Sequence, residues 1–196
     1  KTPTSYWFNY KDKGINFVKA ESILENGDFS EENFDFIGRD ADEKLSSSRL
    51  QKDDILFSIA GALGKTARVK EVILPANINQ ALALVRLSQT VDSPFVRYFL
   101  STSIIQKYIK SIATTTAQSN LNLAQVSEFQ IILPPEEEQK KIVDILQNLD
   151  KRLRKFNKER ESLQRLKKGL MQDLLTGEVR TDDSVEVLDE VVEVES

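Results

Sequence analysis

From Glu136 to Thr176 the chain runs for 41 residues without a proline and with a single glycine, Gly169. As one helix this segment is roughly 60 Å long at 1.5 Å per residue. Glu136, Glu137 and Glu138 fall in its first turn, where the helix dipole favours negative charge. Apolar residues recur at Ile142, Leu146, Leu149, Leu153 and Phe156 with spacings of 4, 3, 4 and 3, the seam of a coiled coil. Arg160 takes the next seam position, and Leu163, Leu166, Leu170 and Leu174 continue the stripe over eleven further residues, which relaxes the supercoil. A helix longer than a domain of this size is wide cannot bury such a stripe against its own domain. The expectation is a projecting helix that needs a partner helix, stopped by Gly177.

The residues before it read differently. Gly14-Ile15-Asn16-Phe17-Val18-Lys19 alternates apolar with polar, as a half-buried strand does. Asp54–Ile59 and Ala81–Leu87 are short apolar runs of strand length, the alanines of the second leaving a helix open, and Thr66–Val69 follows the Gly61–Gly64 turn as an antiparallel return. Asn26-Gly27 marks another turn. Ser93-Pro94 opens a helix, with Ser93 as N-cap and Pro94 first inside, expected to run to Lys110. Ser111–Asn122 reads as a polar loop, followed by a short helix through Val126 and a strand Phe129–Leu133 closed by Pro134-Pro135. The fold class is α+β: a β-rich globular domain over 1–135, a long coiled-coil helix over 136–177 and an acidic, flexible tail over 178–196.

Composition excludes several chemistries. With no Cys and no His in 196 residues there is no thiol nucleophile, no Ser-His-Asp triad, no disulfide and no thiolate or imidazole metal site. No apolar run reaches membrane-span length, so a cytoplasmic protein without a membrane partner is expected. The formal net charge of −4 is uneven. Seven acids and no base follow Arg180, and the remaining body is basic. Between Ile55 and Ser127 the only acids are Glu71 and Asp92, against seven lysines and arginines. A polyanion-binding surface needs such a stretch, and a solvated face also accounts for it.

The motifs speak of binding. Gly61-Ala62-Leu63-Gly64-Lys65-Thr66 suggests a phosphate-binding loop, yet the position that loop requires as glycine is Ile59. It reads as a glycine turn that presents Lys65 and Thr66 or simply closes a hairpin. Asn77-Ile78-Asn79-Gln80 and Gln118-Ser119-Asn120 are carboxamide clusters, suited to reading adenine or to capping turns, and both roles stand for any one residue. Asp53 and Asp54 are adjacent and point to opposite faces of a strand, so they make no catalytic pair. The Asn/Asp-Pro-Pro-aromatic motif of adenine methyltransferases is absent. No catalytic residue, cofactor or metal is expected.

Several segments together resemble the specificity subunits of type I restriction-modification systems. In order they are Gly14–Lys19, Lys52–Ser58, Gly61–Thr66, Asn79-Gln80, Asn120-Leu121, Ile132–Pro135 with Glu138-Gln139, and Leu170–Gly177. Each is weak alone; their order over residues 1–180 is specific. The resemblance implies a non-catalytic subunit with two target-recognition domains, each followed by a long helix, the helices running antiparallel as a spacer. Its implied partners are double-stranded DNA, an adenine DNA methyltransferase subunit and a restriction/translocase subunit. This chain resembles one half, a natural half subunit or a fragment, and a second copy pairing through the long helix would read an interrupted palindrome. The strand and glycine usual before Lys1-Thr2-Pro3 are missing, and the tail has no counterpart. Candidate phosphate anchors, chosen by residue type and position, are Lys19, Lys65, Arg68, Lys107 and Lys110. Candidate base readers are Ser46, Ser47, Ser48, Arg49, Thr66, Asn79, Gln80, Thr116, Gln118, Ser119 and Asn120. Two other readings stay open: the recognition part of a fused restriction-methylation enzyme, and a coiled-coil protein-interaction module.

Overall fold

The computed structural model describes residues 3, 8–88, 91–115 and 120–180. The chain divides into two compact units, Lys1–Gln147 and Asn148–Ser196. The first holds two three-stranded sheets. In one, β1 (Ile15–Val18) lies between antiparallel β2 (Asp35–Ile37) and parallel β5 (Ala76–Ile78). In the other, β3 (Ile55–Ser58) lies between β4 (Thr66–Arg68) and β6 (Leu82–Val85), both antiparallel to it. The expected strands at Gly14–Lys19, Asp54–Ile59, Thr66–Val69 and Ala81–Leu87 are thus present. β2, β5 and the short helix α1 (Arg39–Lys44) were not anticipated. β2 and β5 have three residues each, too few to show a period.

The strand β3 explains its own continuous apolar run. Leu56 belongs to one buried cluster, with Val18, Ala67 and Ile78, while Ile55 and Phe57 belong to another, with Val96, Leu100 and Ile109. Successive side chains face opposite ways, so a strand covered on both faces cannot alternate apolar with polar. A third cluster packs α1 on β1 through Phe17, Ile37, Ala41 and Leu45. Where β1 begins, a Cβ placed on Gly14 would land on the carbonyl oxygen of Ile37 in β2. Gly14→Ala is therefore expected to destabilise the fold by about 1–3 kcal/mol, the usual range for overpacking, measured by urea denaturation.

Four expectations need correction. The helix expected over Ser93–Lys110 is two helices, α2 (Ser93–Leu100) and α3 (Ser103–Thr115). Between them the Ser101 hydroxyl donates to the Arg97 carbonyl at 3.0 Å and the Thr102 hydroxyl to that of Phe99 at 2.7 Å. Such local side-chain bonds compete with the helix ladder. The N-cap of α2 is Asp92, whose carboxylate accepts from Phe95 N at 2.8 Å, one residue earlier than expected. The polar loop expected over Ser111–Asn122 does not begin at Ser111, because α3 continues to Thr115; residues 116–119 lie outside the described residues, and α4 (Leu123–Ser127) is capped by Asn122. Phe129–Leu133 forms no strand and pairs with none among the described residues. Its alternation reflects packing instead: the Phe129 ring stands edge-on to Phe57 and Tyr108, centroids 5.4 and 5.6 Å away, while Ile132 is exposed.

The long helix α5 (Glu136–Leu175) is present, and Gly177, at φ 74°, follows its end. Gln139, buried, fixes its start: its amide donates to the Pro134 carbonyl (2.8 Å) and accepts from Asp92 N (3.2 Å). Lys140 pairs with Glu136 at 2.7 Å and holds that carboxyl below its ordinary pKa. Among the described residues no helix is long and apolar enough to cross a membrane. The acidic tail beyond Arg180 lies outside the described residues.

Candidate nucleic-acid interface

Three connections meet at one end of the β4-β3-β6 sheet. The Ile59 amide donates to the Ala81 carbonyl at 2.8 Å, and the Leu121 amide donates to the Ile59 carbonyl at 2.9 Å. These two bonds join the β3–β4 loop, the Asn79–Ala81 turn and the Asn120–Leu121 segment, which are far apart in sequence. Ser58, fully buried, organises the first of these loops. Its hydroxyl accepts from Lys65 N at 2.8 Å and donates to the Ala62 carbonyl, while its carbonyl accepts from Gly64 N at 3.0 Å. Gly61 and Gly64 have φ of 74° and 79°, a conformation other residues rarely adopt. A Cβ on Gly64 would also strike the side chains of Gln106 and Ile109. Gln106 donates to the Gly64 carbonyl at 3.1 Å and so ties the loop to α3, the helix that carries Lys107 and Lys110. At the neighbouring turn, Asn79 N donates to the Val18 carbonyl, beside Lys19.

The candidate residues separate under this geometry. Gln80, Asn120, Lys107 and Lys110 are exposed. Asn79 is half-buried and caps its own turn, its side-chain oxygen accepting from Ala81 N at 3.1 Å. Thr66 cannot present itself to a base: it is buried, with its hydroxyl 2.7 Å from that of Ser101. Lys65 reaches the Ile23 carbonyl (3.2 Å) and Glu25 (3.0 Å), the latter on an exposed side chain. Lys19 pairs with Asp35 at 3.1 Å and Glu21 at 3.4 Å. Burial opposes its charge, but hydrogen bonding and attraction, to Asp35 above all, outweigh this and raise its pKa. Arg68 stands at the other end of β4 and pairs with Asp53.

Ser46 and Ser47 are exposed on a turn after α1, while Ser48 donates to the side chain of Asn77 at 2.8 Å. Arg49 grips Asp42 through two bonds of 2.9 and 2.7 Å, and the same carboxylate accepts from the fully buried Asn77 at 2.6 Å. Asn77 thus serves the core, as a carboxamide in a strand can. Thr116, Gln118 and Ser119 lie outside the described residues. Gln106 and Ser58 position the loop and had no signal in sequence, one being a helix glutamine and the other the polar end of an apolar run.

Acids collect at the opposite end of the sheet. A cleft of about 620 Å³ is lined there by Lys52, Asp53, Asp54, Arg86, Asp92 and Glu136, among others. Asp54 is buried and receives Arg86 through bonds of 2.7 and 2.6 Å, plus Gln51 N at 2.6 Å. The hydrogen bonds to Asp54 raise the pKa of Arg86 further. Of the two acids between Ile55 and Ser127, Asp92 lines this cleft and Glu71 pairs with Lys52 beside it. The three-loop end therefore gains no acid from that stretch.

The description "Type I restriction modification DNA specificity domain" belongs to the family that matches residues 1–165. The chain belongs to this family. It is similar to the specificity subunit of the type I restriction enzyme MjaVIII from Methanocaldococcus jannaschii, 28% identical over 89% of this chain and 43% of that protein. The putative MjaX specificity subunit of the same organism is 36% identical over 68% of this chain and 33% of its own length. The EcoBI specificity subunit of Escherichia coli is 29% identical over 69% of this chain and 28% of its own. The chain thus spans less than half the length of these relatives. Among solved structures, the HsdS subunit from Thermoanaerobacter tengcongensis superposes with a TM-score of 0.63 over 96% of this chain and 48% of that one, at 18% identity. That likeness shares the fold, mixed sheets followed by a long helix.

Proposed function

We propose that the chain reads one half of a bipartite site in double-stranded DNA and delivers partner subunits to it. Residues 1–135 form the recognition domain and 136–177 the spacer helix, with 178–196 as an acidic tail. The partners are an adenine DNA methyltransferase subunit, a restriction/translocase subunit and a second copy of the chain, in the cytoplasm. The observation that carries the reading is the union of three loops at one end of a rigid sheet, with exposed carboxamides and an acid-poor stretch of chain around them. Phosphate contacts position a protein on DNA and base contacts specify the sequence.

Lys107 and Lys110 take the anchoring role, and Gln80 and Asn120 the reading role. Thr66 is buried and leaves the contact set; Lys19, Lys65 and Arg68 form solvent-accessible ion pairs, which phosphates can replace, and stay candidate anchors. Selection of bound duplexes from a random pool, followed by salt titration, tests the assignment. Lys107→Ala and Lys110→Ala should each weaken binding to cognate and random DNA alike and reduce the salt slope by about 0.9. Gln80→Ala or Asn120→Ala should cost about 1–3 kcal/mol at one base pair and little on random DNA. Equal losses on both kinds of DNA for all four variants would refute the division.

A further inference from the structure

Glu25 brings a carboxylate to the three-loop end from outside the stretch that is poor in acids. It sits on a turn that the fold holds in place. Leu24 N donates to the Asp28 carbonyl at 3.0 Å, Gly27 N to the Leu24 carbonyl at 2.9 Å, and Arg97 of α2 to the Asn26 carbonyl at 2.7 Å. A Cβ on Gly27, at φ 79°, would strike the Arg97 guanidinium, so the turn lies directly against that side chain. The Glu25 side chain, by contrast, is 87% exposed, and its ion pair with the Lys65 ammonium, at 3.0 Å, is the one bond it makes among the described residues.

Lys65 is built the other way. Its side chain is only 22% exposed, and the ammonium also donates to the carbonyl of the fully buried Ile23, a bond that does not depend on Glu25. Lys65 and Glu25 line a cavity of about 310 Å³ as its one base and its one acid, with Gly64, Ser101 and Gln106 in the same wall. An ammonium carries three donors and a carboxamide nitrogen two. Gln106 gives one to the Gly64 carbonyl. With Glu25 swung out, Lys65 and Gln106 both retain donors for an anion in this cavity.

We infer that Glu25 stands in for a DNA phosphate: in the free protein its carboxylate fills the Lys65 site, and a backbone phosphodiester displaces it when a duplex binds. This rests on the reading that the three-loop end meets DNA. Both anions offer oxygens to the same ammonium, so one ion pair replaces another. An exposed pair of this kind holds its carboxylate in place by no more than about fivefold, which a phosphate can overcome. Neither of the other paired candidates is arranged this way. Lys19 is held by two acids, and Arg68 stands at the far end of β4. Glu25 therefore weakens binding to every duplex, cognate or not, and shortens the time spent on DNA that carries no site.

Binding of the full chain to a labelled duplex of random sequence, titrated with salt, tests the exchange. Glu25→Gln alters an exposed side chain and leaves the turn intact. It should tighten binding about two- to fivefold, the strength of the pair that the phosphate no longer has to break. Lys65→Met should weaken binding and lower the salt slope by about 0.9, the share of one phosphate contact. Glu43→Gln, the same loss of charge on an exposed position of α1, should change little. Unchanged affinity in Glu25→Gln, equal tightening in Glu43→Gln, or an unchanged slope in a folded Lys65→Met overturns the exchange and leaves DNA recognition standing. Should Lys65→Met lose its fold, the two glutamine variants decide alone. A natural chain that binds no duplex even at low salt overturns the recognition reading, and this inference with it.

Discussion

Arg86→Ala should be the most damaging single substitution in the globular unit. It leaves Asp54, only 2% exposed, as a buried carboxylate with one remaining main-chain donor, Gln51 N. Removing one partner of a buried pair typically costs about 3–5 kcal/mol. That is a large part of the about 5–15 kcal/mol that holds a domain together. The loss has a second component, because Arg86 also donates to the Arg49 carbonyl at 3.2 Å and so holds the turn after Ser46–Ser48 against β6. Urea denaturation and thermal melting measure it, with a fall in Tm of about 10 °C expected. Adding Asp54→Asn to Arg86→Ala should recover part of the loss, since a neutral amide is cheaper to bury than an unpaired charge. A single variant within 1 kcal/mol of the natural chain, by this same scale, would mean that water reaches Asp54 and solvates it.

The second large effect belongs to the helix. Leu153→Asp with Leu163→Asp places two charges per copy in the apolar stripe without touching any residue of the first unit. The head should keep its stability, and light scattering should report a monomer. Affinity for a duplex with two half-sites should fall by about 10²–10⁴-fold, the gain that linking two modules confers. Affinity for a single half-site should not change. That split between the two probes separates loss of pairing from loss of recognition. Equal losses on both duplexes would place DNA contacts on the helix itself.

Much of this architecture was legible in the residues. The helix α5 announced itself by its period, its acidic first turn and Gly177. The strands β1, β3, β4 and β6 showed as alternation or apolar runs bounded by glycines. Order of short motifs along the chain was enough to suggest the family that the similarity to known specificity subunits establishes. The strands β2 and β5 were not legible, because three residues carry no period and Asn77 inside β5 looks like a surface carboxamide. Its burial is tolerable only because Asp42 and Ser48, contributed by other parts of the chain, satisfy it.

The recognition surface shows the same division. Residue type alone made Lys19, Lys65, Arg68 and Thr66 look like contacts for DNA. Each has a partner within the fold, distant in sequence or across a turn, namely Asp35, Glu25, Asp53 and Ser101, and Thr66 is buried as well. Readable in the order of residues were the local properties: helix period, capping, the glycines that permit left-handed turns and the uneven distribution of charge. These depend on neighbours within a few residues, and physics of that range is written in the order of the chain. Tertiary structure alone decided which loops stand together and which charged groups are already satisfied. Two main-chain bonds, Ile59 to Ala81 and Leu121 to Ile59, gather three connections that no local rule links. Pairing a lysine or burying a threonine is a long-range event, settled only when the two sheets and the helices close on their shared cores.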